Sequence, residues 1–190
     1  VIKFPSISVG ATENALLAAF KAKGKSILKN CAIEPEIKDL ILFLKKLGGQ
    51  IKISGRTITI SEGKSKKKPI THKIIFDRIE AGTYMIAGAL IGKKIIIDKI
   101  DPKIIRYEID ILKKMGVKIK KLKSSLSIQK NKILKKADIK TRPYPGFPTD
   151  LQGQLMVLMT QANGVSRISE NIFENRFMHV PELRRMGAKI

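Results

Sequence analysis

A carboxylate stands at the end of a stiffened approach. The stretch RPYPGFPTDLQGQ runs from Arg142 to Gln154, and three prolines and a glycine fall between Pro143 and Pro148. Thr149 and Asp150 follow, then an apolar run with helical spacing. Two readings of Asp150 are open. A Thr-Asp pair at a helix start satisfies unpaired backbone N–H groups and suits the positive end of the dipole. Prolines also reduce the entropy lost when a loop is ordered, and a positioned carboxylate is what general-base catalysis needs.

Other segments could act beside it. Ser6, Ile7, Ser8 and Val9, with Gly10 behind them, read as a strand end feeding a helix at Thr12. Free N–H groups at such a helix start bind anions, and Gly10 would let the backbone approach a ligand; an ordinary strand-to-helix turn is the alternative. In NIFENRFMHV (Asn171–Val180), Ile172 reads as a core residue. Arg176 could hold a phosphate or carboxylate in its guanidinium fork, or make a structural salt bridge with Glu170 or Glu174. Cys31, in KNCAIEPE, reads as a small buried side chain at a strand end. His72 and His179 stand without partners at metal-ligand spacing, and there is no glycine-rich nucleotide loop, so no metal and no cofactor are predicted.

The elements that must position these residues recur. LKKLGGQI (Leu44–Ile51), LKKMGVKI (Leu112–Ile119) and LRRMGAKI (Leu183–Ile190) begin 68 and 71 residues apart. Each reads as a helix end, a glycine stop and a strand start. About 30 residues before each octet lies a threonine opening another helical pattern: Thr12, Thr83 and Thr149. The unit is helix–strand–helix–strand–strand, about 70 residues long, and the third copy breaks off at Ile190. After the three threonines stand Glu13, Tyr84 and Asp150, so the repeat itself does not demand an acid there. The turn Gly63–Pro69 and the segment Thr71–Thr83 mark a domain boundary between the first copy and the other two.

The chain has 190 residues, 43% of them hydrophobic, and one cysteine, which excludes an internal disulfide framework. No apolar run reaches the roughly 18–20 residues of a membrane span. The net charge of +22 allows a polyanion partner, but 30 lysines stand against 8 arginines and there is no Trp. Stacking on single strands wants aromatics and base readout favours Arg. The Lys-and-Ile-rich composition reads instead as that of an AT-rich coding sequence. A basic nucleic-acid-binding module remains a rival reading, with the run KSKKK (Lys64–Lys68) as its densest patch.

Three stretches together carry a resemblance. SVGATEN…EPEIKDL (Ser8–Leu40), DRIEAGT (Asp77–Thr83) and PYPGFPTDLQ…FENRFMHVPELRRMGA (Pro143–Ala188) resemble the UDP-N-acetylglucosamine 1-carboxyvinyltransferase family, and the resemblance runs over essentially the whole chain. It implies an α/β (α+β) fold, the inside-out α/β barrel of the enolpyruvyl transferases, in a protein about twice this length. Residues 1–75 would be the C-terminal part of the catalytic domain and 76–190 the N-terminal part of the second domain. The implied reaction moves the enolpyruvyl group of phosphoenolpyruvate to the 3′-hydroxyl of UDP-N-acetylglucosamine, opening peptidoglycan synthesis. By the same resemblance Asp150 binds and deprotonates that hydroxyl. Ser6–Gly10 meet the diphosphate side of the nucleotide sugar, although many relatives carry a basic residue where Ser6 stands. Ile172 contacts the uridine diphosphate sugar and Arg176 lies at the cleft, while Asp77 and Arg78 are hinge and ion-pair residues. The family's reactive cysteine and its phosphoenolpyruvate-gripping residues fall outside Val1–Ile190, so the chain alone is expected to be inactive. The expected partners are the two small-molecule substrates, with no nucleic acid and no membrane, in a cytoplasmic protein monomeric at full length. The sibling enolpyruvyl transferase of the shikimate pathway shares the repeats and is the nearest alternative.

Overall fold

The computed structural model of the chain describes residues 1–63, 69–91 and 94–190; the basic run Lys64–Lys68 lies outside them. The chain forms two compact units, Val1–Ile75 and Phe76–Ile190.

In the first unit, β1 (Ile2–Lys3) leads to α1 (Val9–Lys21), β2 (Lys25–Lys29), α2 (Pro35–Lys46), β3 (Gln50–Ser54) and β4 (Thr57–Ser61). Pro35 sits at the start of α2, Glu36 lies in its first turn and Lys45 and Lys46 in its last, matching the helix dipole. Ile37, Ile41 and Leu44 are buried along one face of α2. With Leu16, Leu28, Ile58 and Ile60 they form the core of the unit. The sheet order is β1-β2-β4-β3, with β1 parallel to β2 and the other pairs antiparallel.

The second unit repeats the plan. It contains α3 (Arg78–Leu90), β5 (Ile95–Asp98), α4 (Arg106–Lys114), β6 (Lys118–Lys121) and β7 (Ser125–Gln129). The order β5-β7-β6 is that of β2-β4-β3, with antiparallel pairing throughout. Two short strands follow, β8 (Leu134–Lys135) and β9 (Asp138–Lys140). Then come a 3-10 turn at Thr149–Leu151, α5 (Gln152–Met159), β10 (Ala162–Asn163), β11 (Arg167–Ser169) and α6 (Val180–Arg185). β10 pairs with β8 and β11 with β9, both in parallel.

The three octets close their helices in one way. Gly48, Gly116 and Gly187 have φ of 108°, 91° and 92°. The N–H after each glycine donates to the carbonyl five residues back: Gly49 to Leu44 at 2.9 Å, Val117 to Leu112 at 3.0 Å and Ala188 to Leu183 at 3.0 Å. Each glycine N–H donates to the residue three back at 2.9–3.0 Å. This is the Schellman closure, whose left-handed residue is cheap only for glycine.

One boundary departs from the sequence reading. Ser8–Gly10 are not a strand end feeding a helix at Thr12, because α1 already begins at Val9. Ser8 is the N-cap, its Oγ accepting from Ala11 N–H at 3.2 Å. Val9 and Gly10 therefore lie in the first helical turn. Thr12 is fully buried; its Oγ1 donates to Ser8 O at 2.7 Å and accepts from Ala32 N–H at 3.0 Å.

Candidate active site

The approach to Asp150 is locked by local chemistry. Arg142 N–H donates to Phe147 O at 3.0 Å, and Gly146 N–H to Pro143 O at 2.9 Å. A Cβ on Gly146 would lie 2.5 Å from Arg142 Cβ, so the loop closes only on glycine. The Tyr144–Pro145 peptide is cis. Phe147, 1% exposed, anchors the loop in the core, and the Arg78 guanidinium lies 5.9 Å from the centre of the Tyr144 ring. Asp77 is the N-cap of α3, accepting from Ile79 N–H at 2.7 Å and Glu80 N–H at 3.2 Å. Asp77 thus holds the start of α3 as its cap.

The turn carrying Asp150 is pinned beneath. Leu151, Leu155 and Leu158 are fully buried, each worth about 1.5–3 kcal/mol relative to exposure. Leu151 packs on α3 at Gly82, where an added Cβ would meet Leu151 Cδ1 at 2.4 Å. Asp150 itself points away from this core, its side chain about half exposed.

Asp150 has a partner that the sequence reading did not give it. Arg176 Nη2 donates to Asp150 Oδ1 at 2.8 Å. The salt-bridge alternative for Arg176 was Glu170 or Glu174; the pairing goes to Asp150 instead, because the turn after β11 returns to the N-terminal end of α5. The guanidinium also lies 5.0 Å from the centre of the Phe173 ring. The Asp150 carboxylate engages this arginine and does not cap its own helix, since neither the 3-10 turn nor α5 has a side-chain cap. Ile172 lies outside both hydrophobic cores. Its N–H is held at 2.8 Å by Glu170 Oε1, so main-chain anchoring rather than core packing fixes it.

Glu170 and Gln152 were missed as organisers of this site. Glu170 Oε1 accepts from Thr141 Oγ1 at 2.8 Å, Ile172 N–H at 2.8 Å and Phe173 N–H at 3.2 Å. Its Oε2 accepts from Thr149 Oγ1 at 2.9 Å. Burial alone would raise the Glu170 pKa, but these hydrogen bonds outweigh it and hold the carboxyl below its usual range. Gln152, 1% exposed, donates from Nε2 to Arg176 O at 3.3 Å. The available signal for Glu170 was an acidic residue just ahead of a turn, placed to accept N–H groups two and three residues on.

The other candidates lie elsewhere. Ser6 and Gly10 are exposed and Ile7, Ser8 and Val9 half-buried, all in the first unit. Cys31 is fully buried there, and burial pushes its thiol pKa up, away from nucleophilic reactivity. His72 is not alone: its Nε2 lies 3.1 Å from Asp39 Oδ1 and its ring meets Phe43 edge-on at 5.4 Å.

An exposed carboxylate paired to a guanidinium, on a turn fixed by proline, glycine and a second carboxylate, can accept a proton from a hydroxyl and orient an anion. Comparison with known proteins gives this geometry its setting. Residues 1–190 match the family model described as EPSP synthase (3-phosphoshikimate 1-carboxyvinyltransferase). The chain belongs to the EPSP synthase family. Within it, the chain is 58% identical over 189 residues to the UDP-N-acetylglucosamine 1-carboxyvinyltransferase of Pelagibacter ubique, covering 100% of the chain and 45% of that protein. It is 51% identical over 183 residues to the enzyme of the same name from Halothermothrix orenii, covering 96% and 44%. The chain therefore spans just under half the length of these relatives. Among solved structures, the enolpyruvyl transferase NikO from Streptomyces tendae superimposes with a TM-score of 0.80 at 27% identity, covering 92% of this chain and 42% of that one. An EPSP synthase from Acinetobacter baumannii shares the fold at a TM-score of 0.56 and 18% identity. The α/β fold of the EPSP synthase family, expected from the repeats and the resemblance, is thus shown. Among the described residues no helix is long and apolar enough to cross a membrane.

Proposed function

We propose that this chain is part of a transferase that moves the enolpyruvyl group of phosphoenolpyruvate to the 3′-hydroxyl of UDP-N-acetylglucosamine and releases phosphate. The observation that carries the reading is the identity of 58% and 51%, along almost all of the chain, to relatives named for that activity. The geometry of the third repeat supports it. Asp150 takes the proton of the sugar hydroxyl, whose oxygen then attacks the carbon of phosphoenolpyruvate that bears the phosphate. An acid outside this chain protonates the methylene carbon, giving a tetrahedral phospho-ketal. Loss of a proton and of phosphate restores the double bond. Arg176 orients an anionic group of a substrate, which frees the Asp150 carboxylate to meet the hydroxyl. Ser6, Ile7, Ser8, Val9 and Gly10 receive the diphosphate side of the nucleotide sugar, with the α1 N-terminus as the source of N–H groups. Ile172 lies against the uridine diphosphate sugar.

Under this reading residues 1–75 complete a catalytic domain and 76–190 begin a second domain of the same inside-out barrel type. The protein would act on small molecules in peptidoglycan synthesis in the cytoplasm, as a monomer, and Val1–Ile190 alone would not turn over. The natural polypeptide carrying this segment, given both substrates, should release phosphate and form the enolpyruvyl ether of UDP-N-acetylglucosamine, seen by mass spectrometry. The description of the matching family model favours one second reading, the shikimate-pathway transferase. Phosphate release only with shikimate 3-phosphate as acceptor would establish that reading and overturn ours.

A further inference from the structure

Resting on the transferase reading, we infer that Glu170 is a positioning residue: its single carboxylate fixes Asp150 and Arg176 relative to each other. Three segments converge on it. Thr141 follows β9, Thr149 precedes Asp150 in the chain, and Ile172 and Phe173 open the turn that carries Arg176. Four donors from these segments reach its two oxygens within 2.8–3.2 Å. Thr141 extends the joint, since its Oγ1 also accepts from Asn171 N–H at 2.8 Å. The two functional side chains meet each other only through one exposed contact of 2.8 Å. An exposed ion pair holds its partners weakly, with a typical worth of about 0–1 kcal/mol. Their register must therefore come from beneath. Hydrogen bonds to an ionised acceptor are roughly twice as strong as neutral ones, and Glu170 supplies four. Gln152 adds a fifth tie, from α5 to the Arg176 carbonyl. Neither Glu170 nor Thr149 needs to touch a substrate to set the distance at which Asp150 meets the acceptor hydroxyl.

The role can be separated from ordinary scaffolding. Glu170→Gln keeps the side chain's shape but exchanges one acceptor oxygen for a donor and removes the charge. Thr149→Val removes the hydroxyl without changing volume, and Thr149→Ser keeps it. The four proteins, parent included, are made as the natural polypeptide and assayed for kcat, for KM with UDP-N-acetylglucosamine, and for melting temperature. Glu170→Gln and Thr149→Val should each lower kcat on the order of 10- to 100-fold, the loss that a misplacement of about 1 Å produces. KM should hardly move; the melting temperature should fall, because the same hydrogen bonds also stabilise the fold, yet stay above the assay temperature, and Thr149→Ser should restore kcat. If kcat per folded molecule holds while only the melting temperature falls, or if KM rises while kcat holds, Glu170 is only a scaffold residue and the inference fails. It fails equally if kcat stays at the parent value. Should Glu170→Gln not fold, the Thr149 pair decides alone. A parent without turnover would overturn the transferase reading itself, a different failure from any of these.

Discussion

In the first repeat the helix-opening threonine, Thr12, closes on the backbone, donating to Ser8 O at 2.7 Å and receiving Ala32 N–H at 3.0 Å. In the third repeat Thr149, at the equivalent place, donates to the Glu170 carboxylate at 2.9 Å. Both threonines are buried. The first arrangement satisfies main-chain groups and ends there. The second hands the constraint to an ionised side chain that also holds the turn bearing Arg176. The next residue follows suit: Glu13 belongs to a helix already capped by Ser8, whereas Asp150 stands on an uncapped turn and faces a guanidinium. A repeated scaffold can thus keep one position for folding in one copy and redirect it to a site in another.

The largest effect should separate the two acids that follow these threonines. Asp150→Asn in the natural polypeptide should lower kcat by roughly 10²–10⁴-fold, the usual contribution of a general base, with melting unchanged. Glu13→Gln should leave kcat alone, and equal losses in both would erase the distinction. Next come the threonines themselves. Thr12→Val strands the buried Ala32 N–H and should cost about 1–3 kcal/mol in urea unfolding, without an effect on turnover beyond the loss of folded protein. Thr149→Val should show the reverse balance.

A third test uses pH and two carboxylates of the second unit. Glu170 is held below its usual range by its hydrogen bonds despite burial. Its contribution is therefore present above its unfolded pKa, about 4.3, and lost as pH falls through the lower folded value. Glu108 is the opposite case. Burial raises its pKa more than its own backbone N–H and the Arg78 charge lower it. Its contribution is present below the unfolded pKa and lost as pH rises through the raised folded value. In urea midpoints measured across acidic pH, Glu170→Gln should flatten the acid limb, whereas Glu108→Gln should gain stability toward neutral pH. The smallest effect on stability should come from Arg176→Lys. The pair is exposed, so the loss should stay within about 1 kcal/mol, while the missing guanidinium fork should weaken substrate binding, read as KM.

Much of this scaffold is legible in the chain because glycine is. The three octets place Gly48, Gly116 and Gly187 where only a left-handed residue closes the helix, and the structure closes each there. The proline- and glycine-rich approach likewise marks Asp150 as a positioned residue. The start of α1 lies three residues before Thr12, where the sequence reading opens the helix, because Ser8 supplies the cap. The Asp150–Arg176 pair was not legible, since 26 residues separate its members and nothing local in either segment names the other. Glu170 was read only as a partner for Arg176, because a carboxylate that gathers hydroxyls and N–H groups leaves no charge pattern to follow. The parallel strands β8 and β9 are two and three residues long, too short to show an alternation.

A Cβ at Gly82 has no room while Leu151 keeps its present position. A methyl added to α3 would press on the end of a fully buried side chain one residue from Asp150. A larger residue at Gly82 therefore requires Leu151 to change rotamer or to become smaller. These two positions should vary as a couple, a helix in one repeat constraining the history of the acid in the next.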